Sequence, residues 1–129
     1  MSATKTKIVS RGPVNRATEY NPDGLLAGHP GAKFDAGKVR PSLILNAMPL
    51  AILAVSEVGT YGANKYSENG WKDVDNGIAR YTDAMDRHRI KEGLEVFDED
   101  SNLRHAAQVA WNALARLELM LCDCKSHTV

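Results

Sequence analysis

The feature that most constrains the fold is a helical repeat of small and branched apolar residues near the C-terminal end of the chain. Between residues 101 and 121, apolar residues recur at intervals of three and four, which is the spacing of one face of an α-helix. These residues are Leu103, Ala106, Ala107, Ala110, Leu114, Leu117 and Leu121. Because the many alanines allow a second helix to approach closely, we expect a core helix from about Ser101 to Leu121.

Two further segments have the signals of helices. The first runs from about Pro49 to Lys65, with proline at a favoured first position, and a short turn over 42–47 precedes it. The second runs from about Ile78 to Lys91 and is ended by Gly93. Its apolar stripe consists of Ile78, Tyr81, Met85 and His88. Since no stretch alternates as a β-strand does, the predicted fold class is all-α, a bundle of three to five helices.

The remaining segments indicate that the chain consists of an N-terminal arm, one domain and a short tail. Residues 1–32 carry Gly, Pro, Asn and Thr without periodicity and are expected to form a flexible N-terminal arm. A single all-α domain is expected over 33–123, followed by a short tail over 124–129. The stretch "SENGWKDVDNG" between the first two long helices contains two Asn-Gly turn signals.

Composition excludes several classes of protein. Sixteen basic and sixteen acidic residues give a formal net charge of zero, without the basic excess typical of nucleic-acid binding. The longest apolar stretch, Met48 to Val55, is too short to span a bilayer, and the N-terminus lacks the apolar region of a signal peptide. Cys122 and Cys124 form no CxxC zinc pair and are expected to be reduced thiols. We expect a cytoplasmic protein that binds neither nucleic acid nor membrane.

The first long helix predicts self-association. From Leu50 to Val55 it is apolar on nearly every side, which is typical of a helix with several packing neighbours. Three helices in one chain leave wide apolar surfaces that a monomer covers poorly. A homo-oligomer, either a dimer or a tetramer, is the expected arrangement.

Polar residues on the first two helices suggest chemistry. Glu57 follows the apolar stretch of the first helix, where a carboxylate either turns outward or is neutralised by a bound cation. Asp83 lies between Arg80 and Arg87 at three- and four-residue spacing. These residues are either exposed ion pairs or a metal ligand flanked by phosphate-binding arginines. By base rate, His88 is a hydrogen-bonded core histidine.

The stretch "EGLEVFDEDSNLRH", residues 92–105, is dense in carboxylates. Acidic residues near a helix start are favoured by its positive end, and Asp100 or Ser101 can serve as the N-cap. Capping accounts for the acidic residues from Asp98 onward but not for Glu92 and Glu95. Hard oxygen ligands without cysteine partners suit Mg²⁺ or Mn²⁺.

The start of the last helix is also unusually polar. His105 shares a helical face with Gln108 and Asn112, beside the alanine stripe. Such a polar row indicates the lining of a cleft. Lys38, Arg40 and Lys65 are solvated surface charges by default, but together with the two arginines of the second helix they would suit a polyphosphate.

Five segments in order resemble a known family. They are "KFDAGKVRPSL", "EVGTYGANKYSENGW", "RYTDAMDRH", "GLEVFDEDSNLRH" and "AWNALARLELML". Over residues 32–121 the chain resembles the phage-associated dATP/dGTP diphosphohydrolases called MazZ, relatives of the all-α MazG-like nucleotide pyrophosphatases. The resemblance implies a MazG-like helical bundle completed by homo-oligomerisation. It also implies Mg²⁺- or Mn²⁺-dependent hydrolysis of purine dNTPs to dNMP and pyrophosphate, with a place in 2-aminoadenine DNA synthesis.

The resemblance also implies roles for individual residues. The implied metal ligands are Glu57, Asp83, Glu95 and Asp98, with Glu57 and His105 as the catalytic residues. The implied substrate-binding residues are Lys38, Arg40, Lys65, Tyr66, Trp71, Arg80, Arg87 and Asn112. One departure concerns the metal motif, which in the MazG-like family pairs EExxE with ExxD on the next helix. Here Glu57 stands alone, and the sole ExxD, Glu95 to Asp98, lies in a connection.

Two other classes of function remain open from the sequence. An HD-type triphosphohydrolase is also all-α and metal-dependent, but it needs an adjacent His-Asp pair, which this chain lacks. A non-enzymatic helical protein that mediates a phage-host interaction would use the same polar residues as caps and ion pairs. Identification of the phosphate species released from a dNTP distinguishes the three classes.

Overall fold

A computed structural model describes residues 24–122 of the chain, and residues 1–23 and 123–129 lie outside the described residues. The predictions for most of the N-terminal arm and for the tail therefore fall outside it. The described helices are α1 (Ser42–Leu45), α2 (Pro49–Lys65), α3 (Gly77–Glu92) and α4 (His105–Leu121), with a 3₁₀ turn at Gly70–Asp73. Within residues 24–122 there is no strand, and the all-α prediction is confirmed for this part of the chain.

The chain divides into two compact units. Among the described residues, one unit covers 24–47 and contains α1, and the other covers 48–122 and contains the three long helices. Within the larger unit, α4 packs along both α3 and α2, and the 3₁₀ turn contacts α3. Because α4 is the helix that touches both others, it carries the core of this unit.

The predicted boundaries of α2 and α3 agree with the structure to within one residue. Asn69 and Asn76, each followed by glycine, adopt left-handed backbone conformations with φ of 60° and 56°, which confirms the two predicted turns. At the start of α3, a Cβ on Gly77 would lie 2.8 Å from the Leu119 side chain. A larger residue there would displace the Leu119 side chain, because α3 begins in direct contact with α4.

The predicted start of α4 is wrong by four residues. The helix begins at His105 rather than Ser101, and its N-cap residue, Arg104, makes no side-chain capping bond. Upstream of it, Asn102 has a left-handed φ of 59°, and Phe97 pairs with Arg104 in an isolated bridge. The segment before α4 is therefore a folded connection, and neither Asp100 nor Ser101 caps the helix.

The buried face of α4 also differs from the predicted stripe. Its buried residues are His105, Ala107, Asn112, Ala115 and Leu119. By contrast, Leu114 and Leu117 are 56% and 48% exposed. The helix is thus rotated so that part of its polar row faces inward, where hydrogen bonds satisfy those groups: Asn112 donates to the Gln108 carbonyl at 2.8 Å.

The apolar half of α2 is exposed in the single chain. Leu50 and Leu53 are 83% and 64% exposed, and Val58 is the one residue of this helix that is buried. Within the larger unit α4 is the helix that packs along α2, so the expected burial of Leu50 to Val55 among several neighbours does not occur within the described part of this unit.

Two further expectations concern class and redox state. None of the helices within residues 24–122 has the length and apolarity needed to cross a membrane. Cys122, directly after α4, is disulfide-bonded, so the expectation of a reduced thiol is wrong at this position. That expectation rested on the lack of a partner distant in sequence, which does not exclude a disulfide.

Candidate functional site

A cleft of about 1080 Å³ lies within the larger unit. Its walls come from the second half of α2 and the loop after it, from one face of α3, from the polar part of α4, and from the connection that contains Asp98 and Asp100. All of these segments belong to the residues 48–122. The cleft therefore lies at the junction of the three long helices.

One wall of the cleft is a charged face of α3. Arg80, Asp83, Arg87 and Lys91 follow one another at three- and four-residue intervals, and all four line the cleft. Lys65, at the end of α2, adds a further cation, and its Nζ lies 5.2 Å from the centre of the Tyr66 ring. A hydrogen bond with Tyr66 raises the pKa of Lys65 and keeps its ammonium charged. Such fixed cations beside carboxylates suit a ligand with several phosphates.

The cleft also has an aromatic part. Trp71, Tyr81 and Trp111 pack edge to face, with ring centres 5.6 to 6.2 Å apart. The Tyr81 hydroxyl donates to the Trp71 carbonyl at 2.8 Å, which ties the 3₁₀ turn to α3. On α2, a Cβ built on Gly59 would lie 3.3 Å from Nε1 of Trp111. Glycine at this position lets the indole lie directly against the backbone of α2.

A chain of hydrogen bonds between ionisable groups reaches the cleft at His88. His105 is fully buried. Its Nε2 lies 2.9 Å from Oε1 of Glu95, and its Nδ1 lies 2.9 Å from Nδ1 of His88. His88 in turn lines the cleft, and partial burial together with the adjacent His105 lowers its pKa. The imidazole at the surface of the cleft is therefore neutral at neutral pH.

Asp98 occupies the turn before α4. Its Oδ2 accepts hydrogen bonds from the Ser101 hydroxyl at 2.7 Å and from the Ser101 backbone N–H at 3.2 Å. Burial alone would raise the pKa of Asp98, but these hydrogen bonds and the neighbouring histidines outweigh burial and lower that pKa. The Ser101 hydroxyl is itself held by Gln108, whose Nε2 donates to it at 3.0 Å. The connection thus presents an ionised carboxylate to the cleft.

The structure brings most of the predicted site residues together. Those that line the cleft are Lys65, Tyr66, Trp71, Arg80, Asp83, Arg87, Asp98 and Asn112. Glu57 is exposed and does not line it. Glu95 and His105 do not line it either, but hydrogen bonds connect them to His88, which does. Lys38 and Arg40 belong to the smaller unit. The predicted roles of these residues stay predictions.

Sequence reasoning did not assign several cleft residues to the site. Trp111 received no role, although a tryptophan in an alanine-rich helix beside Asn112 was a usable signal. Tyr81 and His88 were assigned to the core because they share an apolar stripe. Both are only half-buried and line the cleft. Helical spacing defines a face, but it does not show whether that face meets another helix or a cavity.

The carboxylates of the cleft fit a hard divalent cation, such as Mg²⁺, that is also bound by the phosphates of a ligand. Within residues 24–122, no three His, Cys, Asp or Glu side chains are grouped closely enough to hold a metal ion. Asp83, Asp98 and Asp100 nevertheless give the cleft hard oxygen donors. Mg²⁺ is commonly held by one or two carboxylates together with substrate phosphates and water. The donor set therefore fits a cation that is shared with a bound phosphate ligand.

The sequence matches the family model described as dATP/dGTP diphosphohydrolase, N-terminal, over residues 28–128. This range contains every residue of the cleft. No curated protein and no solved structure matches the chain.

Proposed function

The chain belongs to the dATP/dGTP diphosphohydrolase N-terminal family, and we propose that it hydrolyses dATP and dGTP to the deoxynucleoside monophosphate and pyrophosphate. The observation that carries this proposal is the charged face of α3, where Arg80 and Arg87 flank Asp83 along one wall of the cleft. A triphosphate and its cation need both signs of charge at close range. In a phage that replaces adenine by 2-aminoadenine, this activity would remove dATP and supply dGMP.

The cleft has the parts needed to bind a nucleotide. Arg80, Arg87 and Lys65 bind the phosphates, since guanidinium groups donate two parallel hydrogen bonds to phosphate oxygens. The aromatic cluster formed by Trp71, Tyr81 and Trp111 provides faces and edges against which a purine packs. Tyr66, which is 78% exposed, can close over the base.

Asp83 and Asp98 are the proposed contacts for Mg²⁺ or Mn²⁺. Both line the cleft, whereas Oε1 of Glu95 accepts a hydrogen bond from His105 and Glu57 lies outside the cleft. When bound, the cation offsets the negative charge that develops on the phosphate oxygens. The protein's own part is to orient the triphosphate so that water reaches the α-phosphorus in line with the leaving pyrophosphate.

We also propose that the protein works as a homo-oligomer. In the single chain, the exposed large apolar residues of α2 and α4 include Leu50, Leu53, Leu114, Leu117 and Met120. Exposed apolar surface of this extent is typical of association interfaces. A second copy that covers α2 would also stand near Glu57, which would give that carboxylate a role at the interface.

The test is to identify the phosphate products. The 129-residue protein is incubated with a panel of dNTPs and Mg²⁺ or Mn²⁺, and ³¹P NMR follows the products. We expect pyrophosphate and dNMP from dGTP and dATP, and no turnover in EDTA. Orthophosphate and dNDP as first products would contradict the proposal, and inorganic triphosphate would indicate an HD-type reaction instead. No turnover of any dNTP would favour a non-enzymatic role.

A further inference from the structure

The hydrogen bonds of His105 fix which of its nitrogens carries the proton. A carboxylate can only accept, so the 2.9 Å contact between Nε2 of His105 and Oε1 of Glu95 requires a proton on that Nε2. His105 is fully buried, and its two ring nitrogens contact Glu95 and His88. With its proton on Nε2, the singly protonated imidazole of His105 has its lone pair on Nδ1.

The state of His105 determines the state of His88. Because Nδ1 of His105 holds a lone pair, Nδ1 of His88 must supply the proton in the 2.9 Å contact between them. A neutral His88 then has its own lone pair on Nε2. That nitrogen has no hydrogen-bond partner among residues 24–122, and His88 lines the cleft.

We propose that His88 is the catalytic base that takes the proton from the attacking water, and that His105 and Glu95 are positioning residues that hold its Nε2 unprotonated. This inference rests on the proposed hydrolysis of dNTPs in the same cleft. Sequence reasoning placed His88 in the core and His105 at the reaction. The geometry favours the reverse order, because His105 is buried and contacts His88, which lines the cleft.

The proposed step conserves atoms and charge. Nε2 of His88 accepts a proton from water, and the water oxygen forms a bond to the α-phosphorus. The bond from that phosphorus to the bridging oxygen breaks, and pyrophosphate leaves with the electron pair. The imidazolium of His88 keeps its Nδ1 proton, which stays hydrogen-bonded to His105. His105 in turn donates to the negative Glu95, so the two aligned hydrogen bonds stabilise the positive charge on His88.

The first experiment measures the tautomers directly. The full chain is labelled with ¹⁵N, and two-bond correlations from ring carbon protons to ring nitrogens are recorded at neutral pH without nucleotide. We expect His105 protonated at Nε2 and His88 protonated at Nδ1, with the signals assigned by loss in His88→Gln and His105→Asn. A proton on Nε2 of His88 would overturn the proposal, because that nitrogen would then donate rather than accept.

The second experiment measures steady-state hydrolysis of dGTP. We expect His88→Gln to lower kcat by about 100-fold or more, the size typical of a general base, with KM changed less than about threefold. Glu95→Gln, which keeps an acceptor but removes the charge, should lower kcat by about tenfold. The matched control is Glu92→Gln, which alters an exposed carboxylate three residues away and should leave kcat unchanged.

The outcomes separate this inference from the proposed function. Pyrophosphate release by wild type with kcat unchanged in His88→Gln overturns the role of His88 and leaves the proposed function intact. A wild-type protein that releases no pyrophosphate overturns the proposed function, and the base role with it, even where the tautomers are as expected. Circular dichroism of each variant shows whether a variant with a lowered kcat is still folded.

Discussion

The Asp98 carboxylate has two surroundings: it accepts hydrogen bonds from Ser101, and it lines the cleft. One carboxylate oxygen, Oδ2, accepts both hydrogen bonds from Ser101 and so closes the turn before α4. The carboxylate also faces the cleft, where its lowered pKa keeps it ionised at neutral pH. Because an amide oxygen can replace Oδ2 in the turn but carries no charge, substitution by asparagine separates the two roles.

We predict that Asp98→Asn preserves the fold and removes most of the function. The melting temperature without ligand should change little, since the amide oxygen of the introduced asparagine can still accept from Ser101. The additional stabilisation by Mg²⁺ together with a non-hydrolysable dGTP analogue, which grows with the ratio of ligand to Kd, should largely disappear, and kcat should fall by at least about tenfold.

The control for this prediction is Asp86→Asn. Asp86 lies on α3 with only a 3.8 Å contact to Arg89 and is not part of the cleft. Melting curves of both variants are recorded with and without ligand. Equal ligand-induced stabilisation in the wild type and Asp98→Asn would show that this carboxylate only closes the turn.

At the scale of elements, α3 has two charged faces with different surroundings. Arg87 lines the cleft, whereas Arg89, two residues further on, points elsewhere and lies 3.8 Å from Asp86 on the helix surface. Both arginines are exposed residues of the same helix. They therefore form a matched pair for testing which face binds phosphate.

We predict that Arg87→Gln raises KM for dGTP and Arg89→Gln does not. A hydrogen bond to a charged group contributes about 1.5–3 kcal/mol, so loss of the Arg87 contact should raise KM by about 10- to 100-fold. Steady-state kinetics of both variants measures the difference. A similar KM in the two variants would contradict the assignment of the phosphate site to this face of α3.

The two glycines of α2 also form a matched pair. A Cβ on Gly59 would meet Nε1 of Trp111 at 3.3 Å, whereas nothing lies within 4 Å of a Cβ on Gly62. Gly62→Ala should therefore stabilise the protein by up to about 1 kcal/mol, the helix-propensity gain of alanine over glycine.

Gly59→Ala should lose most or all of that gain, because Trp111 has to move. Urea unfolding of both variants measures the free energy of unfolding, and the change in Trp fluorescence reports any shift of the indole. If Gly59→Ala were as stable as Gly62→Ala with unchanged fluorescence, the close contact between α2 and Trp111 would be wrong.

At the scale of the whole molecule, apolar surface remains uncovered in the larger unit. Its buried hydrophobic residues are Val58, Ala107, Ala115 and Leu119, a small core for three long helices. The exposed leucines of α2 and α4 are large enough to form an interface with a second copy. This arrangement accounts for an α2 that is apolar around its circumference but buried on one side only.

We predict that the chain is at least a dimer in solution. Light scattering at micromolar concentration should give at least twice the 14.1 kDa mass of one chain. Leu50→Lys combined with Leu53→Lys should lower the mass or cause unfolding, since two charges would enter the interface. A wild-type chain that is monomeric and cooperatively folded would contradict the oligomer proposal.

The sequence by itself determined the helical class and most helix ends, because these depend on local signals. Pro49 begins α2 and Gly93 ends α3 by backbone chemistry that acts over a few residues. It also identified the charged residues of α3, since helical spacing places Arg80, Asp83 and Arg87 on one side of any helix.

Only the tertiary structure decided which faces turn inward. The rotation of α4 buries His105 and Asn112 instead of Leu114 and Leu117, and a spacing pattern shared by polar and apolar rows cannot fix that rotation. His105 pairs with His88 and Glu95, which lie 17 and 10 positions away in the sequence, through a packed interface. Such contacts depend on how α3, α4 and the connection between them pack together. Local patterns in the sequence do not predict this packing.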